Sequence, residues 1–204
     1  MASEQEKMRR TTILSAIVSL VAFGYKMYLG VITASLVLMI AAVSTLMVFI
    51  CKLTFVFNAT QTFDKKVKGY FIMFVATAAY SAIFILFVVL QIFGINISNQ
   101  NTFEGWLGVL YILILLIMFL LSVAKLRGAL ERSDIMVIGL KEMTFVSACA
   151  DMVIISEFVG RIVMYYYPSP LIDEILYYVP LALGAIMVIT SLTMLRRFLK
   201  CRQY

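Results

Sequence analysis

The sequence predicts an all-α fold, a polytopic membrane protein with six transmembrane helices in one bundle and both termini cytoplasmic. Three observations predict it. Of 204 residues, 63% are hydrophobic and only 14% are charged, a balance foreign to soluble globular domains. Six stretches are long enough to cross a hydrocarbon layer of roughly 30 Å, which takes about 20 mainly apolar residues each. The basic residues cluster beside alternate connections, as the positive-inside rule requires of a chain that crosses an even number of times.

The expected helices run over residues 12–29, 31–57, 69–93, 104–126, 140–166 and 172–199. Their apolar runs are continuous rather than alternating, and about twice the length of a tilted membrane strand, which excludes a β-barrel. The opening MASEQEKMRR is polar, has Ala2 where myristoylation needs glycine, and precedes no small-residue cleavage site, so the first apolar run is expected to be a retained helix. Lys7, Arg9 and Arg10 precede it, and Lys65, Lys66 and Lys68 separate the second and third spans. Lys125, Arg127, Arg132 and Lys141 flank the next inner connection, and Arg196, Arg197, Lys200 and Arg202 follow the sixth span. The Gly30 turn and residues 94–103 and 167–171 carry no Lys or Arg, so they are expected outside.

Smaller signals agree. Pro168 and Pro170 mark the turn into the last helix, Asp173 and Glu174 sit in its first turn where the helix dipole favours anions, and Trp106 suits an interface. Pro180 is expected to kink that helix or free a carbonyl. Asn96-Ile97-Ser98 is a glycosylation tripeptide in an expected outer loop, of a kind that is frequent by chance.

Composition also limits function. A net charge of +6 raises nucleic acid as a partner, but the cations sit beside apolar runs as topology signals, so no nucleic-acid partner is expected. There is no histidine, which removes histidine triads and most zinc centres. No phosphate loop, nucleophile elbow or pair of water-facing catalytic carboxylates is present, so no enzyme and no cofactor are expected. Cys51, Cys149 and Cys201 have no metal or disulfide spacing and read as small packing residues.

What remains is polarity at membrane depth. An ionisable residue there costs roughly 2.5 to 3.5 kcal/mol on insertion scales and asks for a function or a partner. Counting about 1.5 Å per residue from Lys141, Asp151 lies about 15 Å in, near the midplane. Ser147 shares its face one turn away, and Ser44 and Thr144 complete a candidate ion or proton site. The alternative is a protonated or hydrogen-bonded Asp151 that serves packing. Glu157 and Arg161, four apart, suit an intrahelical ion pair, and Lys26 and Lys52 suit snorkelling to the headgroups.

Lys26 followed by Thr33-Ala34-Ser35, Asp151 in the fifth helix, and the spacing from it to Asp173 together resemble the transmembrane domain of the cation diffusion facilitator family, over about Thr12 to Leu199. The resemblance implies a six-helix bundle with a metal site between the second and fifth helices. At those positions this chain offers Ser44, Val48, Ser147 and Asp151, so only one ligand remains and no metal site is expected. The family's cytoplasmic metal-sensing domain is expected to be missing as well. The leading expectation is therefore a non-enzymatic scaffold or partner subunit in the lipid bilayer, with a homodimer or another membrane subunit as partner. The alternative is a secondary transporter of a small cation, proton or other solute that uses Asp151.

Overall fold

The computed structural model describes residues 2–93, 106–131 and 134–202. They form six helices and no strand: α1 (Ala2–Ile32), α2 (Leu36–Asn58), α3 (Phe63–Ile92), α4 (Trp106–Leu130), α5 (Ile135–Tyr166) and α6 (Pro170–Arg202). Five segments of them are long and apolar enough to cross a membrane: Met8–Ile32, Leu36–Asn58, Phe63–Leu90, Val109–Leu130 and Tyr178–Arg202. α5, which carries Lys141, Glu142 and Asp151, is not among these. The expected loop at residues 94–103, the Asn96 tripeptide and the side chains of Trp106, Glu157, Arg161 and Asp173 lie outside the described residues.

The first turn falls later than the expected Gly30. α1 continues through Gly30 to Ile32, and the chain reverses over Thr33, Ala34 and Ser35. The reason is closeness rather than flexibility: a Cβ on Gly30 would stand 2.9 Å from Met39 Cγ, so the glycine lets α1 and α2 approach just before they part. Ala34 takes the left-handed conformation that ends α1, with φ of 49°. Ser35 caps α2, its hydroxyl accepting from the Leu38 amide at 3.4 Å. Asp134 caps α5 in the same way through the Met136 amide at 2.9 Å, which starts that helix one turn before the expected Leu140.

α2 and α5 pack together at the centre. α3 leans on both, and α6 closes against α3 and α5. On the opposite side the backbone of α1 packs on α2 and that of α4 on α5, with α1 also reaching α5 through the side chain of Lys26, so α1 and α4 form two walls. The buried core lies where α2, α3, α5 and α6 meet, with Leu38, Phe55, Tyr70, Met73, Tyr80, Phe84, Met136, Met143, Val146 and Met187 all 1% exposed or less. By contrast α1 and α4 leave Leu14, Ile17, Val21, Leu113, Ile117 and Leu120 open, an apolar surface that lipid satisfies and water does not.

Small polar groups hold the helices at fixed registers. Ser81 of α3 bonds Ser191 of α6 at 3.0 Å, and Thr77 donates to Met143 Sδ at 3.2 Å. Gly139 makes room for α3 side chains against α5, since a Cβ there would stand 2.7 Å from Tyr70 Cδ2 and 3.1 Å from Met73 Sδ. We expect Gly139→Val to lower stability by about 2 kcal/mol through overpacking. Gly128→Ala, where no atom lies within 4 Å of the new Cβ, should be neutral or slightly stabilising. Thermal unfolding of both variants in lipid nanodiscs checks this, and equal midpoints would show that the α3–α5 contact is loose.

Polar contacts also align the helix ends. Lys66 at the start of α3 pairs with Asp134 before α5 at 3.2 Å, and Arg197 near the end of α6 pairs with Glu142 near the start of α5. Lys52, late in α2, reaches Ser15 and Ser19 in the first half of α1. One end of the bundle thus gathers the start of α3 and α5 with the end of α2 and α6.

Candidate functional site

The walls α1 and α4 and the floor of α2 and α5 enclose a cavity of about 340 Å³. It is polar at both ends and mainly apolar between them, with Ser147 one turn from Asp151. At one end lie Lys26, Thr45, Tyr111 and Asp151; at the other lie Ser15, Ser19, Lys52 and Ser122. Val18, Ala22, Val48, Ile114, Leu115 and Met118 line the middle. Thr45 and Lys52 are seven positions apart on α2, so the ends stand about 10 Å apart along the axis.

Asp151 does not stand alone. Lys26 Nζ donates to its Oδ1 at 2.5 Å and to Thr45 Oγ1 at 3.2 Å, tying α1, α2 and α5 through one ammonium. The side chains of the pair are 8% and 14% exposed. The expectation that Lys26 snorkels to the headgroups is thus corrected: its stem turns inward. The physical reason is that a carboxylate at this depth needs a counter-ion, and Lys26 can reach it while its own charge needs the same compensation. Lys52 donates to Ser19 Oγ at 2.5 Å and to the Ser15 carbonyl at 2.9 Å.

Of the sequence-derived candidates, Ser147 and Asp151 line the cavity one turn apart on α5. Ser44 bonds Ser147 across the α2–α5 contact at 3.0 Å and donates to the Ala41 carbonyl at 2.7 Å, so it is buried behind the cavity rather than in it. Thr144 lines the cavity but spends its proton on Leu140 O at 2.7 Å. Tyr80 of α3, fully buried, brings its hydroxyl to the Ser44 side of the same layer. Val48 lies one turn beyond Ser44 on the cavity wall. Among the described residues no three His, Cys, Asp or Glu gather in a way that holds a metal ion. Cys51, Cys149 and Cys201 are free thiols, the first two buried.

A second buried charge went unremarked in the sequence. Glu142, 2% exposed, accepts from Arg197 of α6 and from the Tyr70 hydroxyl of α3 at 3.3 Å. Its signal was present: it stands one helical face away from Lys141, inside the expected fifth span, where an acid needs a partner.

Compared with known protein families, curated proteins and solved structures, the chain matches none.

Proposed function

We propose that the chain crosses the bilayer six times with both ends cytoplasmic and acts as a non-enzymatic secondary carrier, in which Asp151 exchanges Lys26 for a small monovalent cation or a proton. The gathering of alternate helix ends described above supports an even number of crossings, and the burial of α5 among four other helices supports counting it as one of them, its charges meeting partners instead of lipid. The packing of α2 on α5, which sets Ser44 and Val48 beside Ser147 and Asp151, is the arrangement that a cation-diffusion-facilitator-like bundle implies.

One observation carries the transport reading: the Lys26–Asp151 pair lines a cavity rather than a dry helix contact. An arriving cation or proton competes with the Lys26 ammonium for the Asp151 carboxylate, which gives the site two states. In proteoliposomes we expect the purified protein to move protons, Na⁺ or K⁺ down a gradient. Asp151→Asn should abolish that flux, and so should Lys26→Met with Asp151→Asn, a double variant that keeps the fold. Absence of flux for all three ions in the unsubstituted protein would sink this reading. It would leave the scaffold or partner subunit, including a homodimer, which one fact favours: Lys26 and Thr45 complete the site without any ligand.

A further inference from the structure

The end of the cavity away from Asp151 is built differently and points to a separate ligand. Lys52 Nζ uses two of its three donors, both on α1, and touches no carboxylate among the described residues. Lining the same cavity, Ser122 of α4 is 5% exposed and its hydroxyl has no hydrogen-bond partner among the described residues. A buried hydroxyl left unmet is costly and asks for a ligand. Lys125 and Lys141 stand within electrostatic reach of Lys52, whereas Asp151, the carboxylate among the described residues that line the cavity, is compensated by Lys26 at the other end.

The route to this site is lateral. The backbones of α1 and α4 do not pack on each other, and the cavity runs between them beside a flank whose exposed residues Leu14, Val21, Leu113 and Ile117 are apolar and suit lipid. Between the two polar ends run the apolar side chains of Val18, Ala22, Ile114 and Met118. A basic head site joined to an apolar slot that opens sideways has the chemistry of an amphiphile supplied by the bilayer itself.

We propose that the α1–α4 groove binds one anionic phospholipid from the surrounding membrane, its phosphate on Lys52 and Ser122 and one acyl chain along Ala22 and Met118. The phosphate oxygens accept the third donor of Lys52 and the orphan proton of Ser122, and the chain fills the slot and closes the cavity on the membrane side. Lipid binding rests on Lys52, Ser122 and the apolar slot and does not require ion exchange at Asp151.

The test is native mass spectrometry of the full-length protein released from nanodiscs of phosphatidylcholine mixed with phosphatidylglycerol, which compares the two lipids that stay bound. We expect one retained phosphatidylglycerol, favoured over phosphatidylcholine by about fivefold, the factor one well-placed cation provides. Lys52→Gln should remove the preference and Lys52→Arg should restore it. Ala22→Phe, which fills the slot and leaves the charge, should remove the bound lipid while Lys52 is intact. Lys200→Gln, outside the groove, should change nothing. Equal retention of the two lipids, or a preference that survives both Lys52→Gln and Ala22→Phe, overturns the proposal. So does a dimer whose contact covers α1 and α4, since a second copy would then be the occupant.

Discussion

Lys26→Met should cost the folded protein about 3 to 5 kcal/mol, because it strands the Asp151 carboxylate at membrane depth with no cation beside it. For a chain of this length that is a fall in unfolding midpoint of roughly 10 °C. The magnitude follows from the asymmetry of buried pairs. Desolvating two charges nearly cancels their attraction, so the pair itself stabilises little, yet removing one partner leaves the whole penalty of the other. Asp151→Asn should cost less, since the remaining ammonium keeps Thr45 at 3.2 Å and can turn toward the cavity.

The double variant separates this account from simple loss of packing. With Met at 26 and Asn at 151 neither side chain carries a charge, so stability should return to within about 1 kcal/mol of the parent and the coupling energy should be large. Midpoints measured in nanodiscs for the two single variants and the double complete the cycle. Were Lys26 snorkelling, Lys26→Met would cost a few tenths of a kcal/mol and the cycle would show no coupling.

The contrast between Lys26 and Asp151 indicates how much could be read from the sequence. Five of the six helices were legible from hydropathy, because a run of 20 apolar residues has few other folds open to it, whereas the more charged α5 falls short of that criterion. Asp151 stood out for the same reason: one acid in an apolar run is conspicuous. Its partner was not legible, since Lys26 lies 125 residues away and the depth of a lysine along its own helix does not say which way a flexible stem points. Only the packing of α1 on α2 and of α2 on α5 decides that. The turn at Thr33–Ser35 was missed by a few residues because a glycine usually signals chain reversal, whereas Gly30 serves close helix approach. Ser44 was correctly placed opposite Ser147, but burial put it behind the cavity rather than in it.

Glu142 and Arg197 provide a second cycle, with an uneven outcome. The carboxylate side chain is 3% exposed and the guanidinium side chain 36%. Arg197→Met therefore leaves a buried charge with only the Tyr70 hydroxyl at 3.3 Å, and should cost about 3 to 5 kcal/mol. Glu142→Gln keeps shape and an acceptor for Tyr70, while the freed guanidinium, already partly open, finds water; about 1 to 2 kcal/mol is expected. Because α6 docks only on α3 and α5 among the described residues, the loss should concentrate there. Hydrogen exchange should show the second half of α6 opening in Arg197→Met well before α2, and only slightly in Glu142→Gln. Adding Glu142→Gln to Arg197→Met should rescue stability, since it neutralises the stranded charge. Equal costs for the two single variants, with no rescue, would instead mean that the Glu142 carboxylate reaches water and that α6 is held by apolar packing and the Ser81–Ser191 bond alone.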